Sequence, residues 1–131
     1  MVLDASVVID LLLGTAPRVE EIERLVVSHA PALAVPHLLD VEVTHALRRL
    51  AAEGAISGAV ARHALDGLRD LPLQRYPHLA LLPRVFELRT NVTAYDGIYL
   101  ALSEGLGADF YTRDRRLARA PGHRARVHLI G

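Results

Sequence analysis

The sequence predicts an α/β domain in which a short parallel sheet of four to five strands is flanked by helices on both faces. Two observations carry this. Short apolar runs of strand length alternate with longer segments whose apolar residues recur at helical spacing, the order that builds a parallel sheet under crossover helices. The strand runs are themselves apolar, as strands covered on both faces must be. At 131 residues with 51% hydrophobic content, the chain can bury one core built on Leu, Val and Ala. No repeat, low-complexity tract or linker interrupts it, so residues 1–131 read as one domain.

Taken in order, VLDAS is a first strand, and Ser6 caps a helix through VVIDLLLG that stops at Gly14. Arg18 to Ser28 is amphipathic, with Val19, Ile22, Leu25 and Val26 on one face. ALAVP is a second strand, Pro36 or His37 opens a long helix through Ala52, and Gly54 ends it. Ser57 caps a helix to about Asp70, and LPLQRY is a third strand. Pro83 suits the first turn of a helix ending near Asn91, and Thr93 opens the next, ending between Gly105 and Gly107. DFYT is a fourth strand, Asp114 to Arg119 a short turn or helix, and RVHLI a last strand after the APGH loop.

Composition excludes several chemistries. Without cysteine there are no disulfides, zinc thiolates or thiol nucleophiles, and a reducing compartment is expected. The early apolar stretch is cut by Asp4 and Asp10 and lacks a basic leader, so neither signal peptide nor membrane span is read and the cytoplasm is the expected location. All basic residues among the 15 Lys+Arg are arginine, which removes lysine as Schiff base, general base or phosphate ligand. Net charge is zero, so the overall balance does not point to nucleic acid, but arginines crowd the chain from Arg113 onward. The seven histidines lack zinc-ligand spacing, and there is no HExxH, GxSxG or glycine-rich phosphate loop.

Four acids remain: Asp4 in VLDAS, Glu42 in LLDVEVTHALRR, Asp96 in TAYDGIYLAL and Asp114 in FYTRDRRL. Asp4 and Asp114 follow strands, where α/β sheets gather ligands beyond the carboxyl ends. Glu42 lies between two valines with His45, Ala46 and Arg49 on its helical face, and Asp96 opens a helix. Carboxylates in such settings are costly to bury without a compensating charge, and a divalent cation compensates several at once. Each has a plainer alternative. Asp4 can cap a helix, Glu42 can pair with His45 or Arg49, Asp96 can close a capping box with Thr93, and Asp114 can cap a turn. Asp40 is accounted for as a first-turn acid, Asp109 lies at the other end of its strand, and Asp10 reads as a supporting or solvated helix residue.

The segments VLDASVVIDLLLG, VPHLLDVEVTHALRRL and LLPRVFELRTNVTAYDGIYLALSEGLGADFYTRDRRLA, with the tail APGHRARVHL, together resemble a PIN-domain nuclease of the VapC toxin type. The resemblance covers nearly the whole chain and is most specific from Leu82 to Leu117. It implies a metal-dependent endoribonuclease in which Asp4, Glu42, Asp96 and Asp114 are the catalytic and metal-binding acids. Mg²⁺, or Mn²⁺ in its place, is the implied cofactor. Asp4 and Asp96 are the expected primary ligands, Ser6 and Thr112 support them, and Arg113, Arg115 and Arg116 are candidates for RNA phosphates. Partners implied are an RNA substrate, a cognate antitoxin covering the acidic pocket and a second copy of the chain. The family usually has asparagine where this chain has His45, and alanine where it has Gly97; the latter suggests extra room beside the metal.

Other classes fit less well. A phosphoacceptor receiver needs a lysine, which is absent, and the DxSxS loop of a metal-dependent adhesion module is only half matched by Asp4 and Ser6. An RNA-processing PIN nuclease without a toxin role is the alternative within the resemblance.

Overall fold

The computed structural model describes residues 1–29 and 32–131. Strands β1 (Val2–Leu3), β2 (Ala34–Pro36), β3 (Gln74–Tyr76), β4 (Phe110–Thr112) and β5 (Val127–Leu129) form one parallel sheet in the order β3-β2-β1-β4-β5. Parallel neighbours require crossovers, supplied here by α1 (Ala5–Leu13), α2 (Arg18–His29), α3 (Leu38–Ala52), α4 (Gly58–Asp70), α5 (Leu82–Glu87), α6 (Ala94–Leu106) and α7 (Arg115–Ala118). No described helix is long and apolar enough to cross a membrane.

The chain steps from β1 outward through β2 to β3, then returns to the far side of β1 for β4 and β5. Because crossovers are right-handed, this reversal puts the two sets of helices on opposite faces. Accordingly α1 packs on α2, α3 and α4, whereas α6 packs on α5, β1 and β2. The reversal also leaves a crevice at the carboxyl ends of β1 and β4. Val2, Leu3, Val35 and Phe110 are fully buried in the inner strands. The edge strands β3 and β5 are less covered than the inner ones: residues such as Gln74, His128 and Leu129 stay exposed.

Local signals explain most boundaries. Ser57 and Thr93 cap α4 and α6 through their hydroxyls, and Gly14 and Gly107 end α1 and α6 at φ 65° and 62°, where side chains are strained. Three expectations need correction. Asp4, not Ser6, caps α1: the strand ends at Leu3, Asp4 is extended, and its carboxylate accepts from Val7 N–H at 3.2 Å. Ser6 is already helical. The helix begun around Pro83 ends at Glu87, after which residues 88–91 continue as turns, with Asn91 N–H bonded to the Leu88 carbonyl. Gly97 opens no space beside the acids. A Cβ there would meet Val85 Cγ1 at 3.1 Å, so its missing side chain lets α6 lie close against α5.

Candidate active site

Asp4 stands at the crevice, 9% exposed. The Ser6 hydroxyl donates to its Oδ1 at 2.5 Å and the Thr112 hydroxyl, from the end of β4, donates to its Oδ2. Each hydroxyl in turn accepts a backbone N–H, Ser6 Oγ from Arg113 at 3.2 Å and Thr112 Oγ1 from Asp114 at 3.0 Å. These bonds tie β1 to β4 across the reversal and lock the carboxylate's orientation. Burial raises the Asp4 carboxyl above its ordinary range; the Ser6, Thr112 and Val7 donors offset part of this, and the charge of Asp96 adds to it.

Glu42 projects from α3 toward α6, where the Tyr99 hydroxyl donates to its Oε1 at 2.6 Å. Tyr99 is 2% exposed and stacked on Phe110 with ring centroids 5.8 Å apart. Burial first, then the charges of Asp96 and Asp4, raise the Glu42 carboxyl, while the tyrosine hydroxyl lowers it. In place of a surface pair with His45 or Arg49, Glu42 makes a part-buried contact with Tyr99. Tyr99 is marked in the sequence only as a phenol inside the apolar run 98–102, three residues after Asp96: a buried tyrosine hydroxyl needs a partner. Tyr99→Phe keeps the stacked ring and removes the donor. Turnover is expected to fall about tenfold, because a hydrogen bond to a charged group contributes roughly 1.5–3 kcal/mol. Unfolding by urea, followed alongside, should show a cooperative native protein.

Asp96 sits one turn into α6. Thr93 Oγ1 accepts its backbone N–H at 3.2 Å, so the capping geometry exists, yet the carboxyl faces the same crevice as the other acids. Burial and then the charge of Asp114 raise it; the Thr93 hydroxyl and Arg116 offset them. Asp114 is exposed and caps α7, accepting from Arg116 and Leu117 N–H at 2.8 and 3.3 Å. Asp4, Glu42 and Asp96 thus lie in one another's electrostatic reach, and Asp114 joins them through Asp96. Among the described residues no three acidic or histidine groups form a ready-made cage for an ion.

Asp10 is not solvated. It is 2% exposed and receives Arg18 at 2.6 Å and Arg113 at 3.1 Å. Arg113 is thereby held against α1, while Arg115 and Arg116 are exposed on α7. Asp10→Ala leaves two cations without their shared acid. It is expected to destabilise by about 2 kcal/mol, less than a fully buried pair because both arginines touch solvent, as a lower urea midpoint at unchanged slope.

Two cavities flank the acids. One, of ≈ 380 Å³, is bounded by Asp96 and Asp114. The other, of ≈ 640 Å³, lies along α3 beside Ser6, Glu42 and Arg113 and has Leu38, Val41 and Leu50 in its walls.

A five-stranded parallel sheet reversing at β1 and β4, with acids gathered at the reversal, defines the class: residues 1–123 match the PIN domain, and the chain belongs to that family. It is similar to Ribonuclease VapC1 of Mycobacterium tuberculosis, 42% identical over 133 residues that cover 98% of this chain and 96% of the relative. Its fold is similar to that of VapBC2 from Rickettsia felis bound to a promoter DNA fragment, with TM-score 0.72, 12% identity and coverage of 99% and 98% of the two chains. It is also similar to a toxin–antitoxin complex from Klebsiella pneumoniae, with TM-score 0.63, 19% identity and coverage of 90% and 89%. The receiver and adhesion alternatives are set aside by the family.

Proposed function

We propose that this chain is a metal-dependent endoribonuclease and the toxin of a toxin–antitoxin pair, hydrolysing RNA phosphodiester bonds at the acid cluster. The observation that carries it is the gathering of Asp4, Glu42 and Asp96 at the β1–β4 crevice, their carboxyl groups raised by burial first and then by a neighbouring acid, a centre rich in hard oxygen donors. That donor set suits Mg²⁺, with Mn²⁺ as substitute, because Mg²⁺ keeps several waters and needs only one or two carboxylates, so the lack of a three-acid cage is no obstacle. When bound, such an ion supplies charge to the scissile phosphate and acidifies a nearby water. Asp4 and Asp96 would hold it; Glu42 and Asp114 would orient water around it. Ser6 and Thr112 keep Asp4 in position, and Tyr99 occupies Glu42 Oε1, which would leave Oε2 for a water.

The name of the M. tuberculosis relative favours RNA as substrate, and the K. pneumoniae complex favours a protein antitoxin as partner. The larger cavity, apolar along Leu38, Val41 and Leu50 and reaching Glu42, suits an antitoxin segment that covers the acids. A second copy of the chain and a cytoplasmic location complete the reading. Sequencing RNA 5′ ends after brief induction tests it. New ends at a recurring site are expected with the parent and not with Asp96→Asn; identical end profiles would refute cleavage.

A further inference from the structure

The smaller cavity beside Asp96 and Asp114 differs in chemistry from the larger one. Besides Asp96 and Asp114 it is lined by Arg89, Thr90, Asn91 and Arg116. Guanidinium, hydroxyl and amide groups there supply donors and acceptors, alongside the apolar Val92 and Leu117. Arg89 is oriented before any ligand arrives. Its guanidinium carbon lies 4.4 Å from the centroid of the Phe86 ring, and its Nη1 donates to the Phe86 carbonyl at 3.0 Å. Neither contact involves a carboxylate, so Arg89 keeps its charge free for an anion. Asn91 lies against Gly122, where a Cβ would collide with its Nδ2.

We propose that this recess is a nucleotide subsite, holding one unstacked nucleotide of single-stranded RNA next to the phosphate that is cut. Arg89 binds the adjoining phosphate and Asn91 and Thr90 read the base edge. The inference rests on the reading that the acid cluster cleaves RNA and deepens it by naming where the strand lies. Volume and chemistry both point this way. At ≈ 380 Å³ the recess is near the small end of ligand cavities, about 300–1,000 Å³, with room for a single nucleotide and not for a stacked duplex. Sequence-selective RNA recognition works on unstacked bases, offering hydrogen bonds to their edges and an arginine or apolar plane to their faces. A strand whose phosphate sits at Asp96 must continue to one side or the other, and this side sets Asp96 and Asp114 beside Arg89, Arg116 and the uncharged groups of Thr90 and Asn91. The α3 cavity has Arg49 as well as Arg113, which Asp10 holds, but its walls are mostly apolar, with Ala5, Ile9, Leu38, Val41, Ala46 and Leu50, and suit a protein segment better than a nucleotide.

Single-turnover cleavage of a short single-stranded RNA, carrying a site mapped by 5′-end sequencing, tests this with three proteins: the parent, Arg89→Glu, and Arg62→Glu on the exposed surface of α4. With Arg89→Glu the half-saturating RNA concentration is expected to rise about tenfold and the log–log salt slope to fall by about one phosphate contact, the saturated rate staying within about twofold. Arg62→Glu should match the parent. A parent that neither binds nor cuts RNA would overturn the underlying function. A parent that cuts, with Arg89→Glu unchanged in half-saturation and salt slope, would overturn the subsite alone. Photocrosslinking with 4-thiouridine on either side of the cut gives an independent answer. Adducts within residues 89–93 or 116–120 from one flank are expected, whereas adducts from both flanks confined to α1 and α3 would refute the placement.

Discussion

Asp96→Asn is expected to abolish RNA cleavage and growth inhibition, by a factor on the order of a hundred or more, while leaving the protein folded. The substitution keeps the side chain's shape, and the Thr93 cap is a bond to the backbone N–H of residue 96, which asparagine retains. What goes is one negative charge from a place that already holds too many. Asp4, Glu42 and Asp96 all have carboxyl groups raised by burial and by neighbouring acids. Groups raised in the folded state favour folding fully only below the ordinary carboxylate range, and this contribution is lost as pH climbs through their raised values. At neutral pH without divalent ions the cluster therefore opposes folding. Asp96→Asn should melt at or above the parent's temperature in chelator at pH 7, and the difference should vanish on acidification. Asp66→Asn, on the exposed surface of α4, is the suitable control and should keep full activity. Asp10→Asn is unsuitable because Asp10 anchors Arg18 and Arg113. A folded Asp96→Asn protein cutting RNA at the parent's rate would reduce Asp96 to a helix-capping residue.

Chelation should have an equally large effect. With divalent ions removed, cleavage is expected to fall to background, and Mg²⁺ or Mn²⁺ should restore it, since no cysteine or lysine is present and the acids themselves repel a phosphate. The same ions should stabilise the fold independently of any RNA, by about 2.7 kcal/mol at a concentration a hundredfold above Kd. In Asp4→Asn that thermal shift should shrink sharply. Undiminished cleavage in excess chelator by a nuclease-free preparation would sink the metal mechanism, and an ion-independent melting temperature would count against the cluster as its seat.

The elements were legible because their signals are local: Ser57, Thr93, Gly14 and Gly107 mark helix ends by properties of single residues. The error at Ser6 arose because Asp4 and Ser6 are both good caps two positions apart, and only the point where β1 ends decides between them. The four acids could be chosen from their settings and from the resemblance. Their supports could not, being pairs distant in sequence. Tyr99 reaches Glu42 across 57 positions, and Arg113 reaches Asp10 across 103. Nor does helical spacing say what faces Gly97; that depends on how closely α5 approaches.

The place of β4 in the sheet has a consequence for the life of the chain on the ribosome. Until β4 inserts, β1 is an edge strand with one row of backbone groups open, and the reversal that forms the crevice does not exist. Thr112 meets Asp4 across 108 positions, so the contact that completes the centre joins nearly the first residues made to some of the last. Helices α1 to α4 can assemble on β1 to β3 during synthesis with Asp4 and Glu42 in place, while Asp96, Thr112 and Asp114 are still to be added. With the proposed function, a nascent chain of this topology is expected to leave the RNA around it intact, including the message being read, until β4 has joined the sheet.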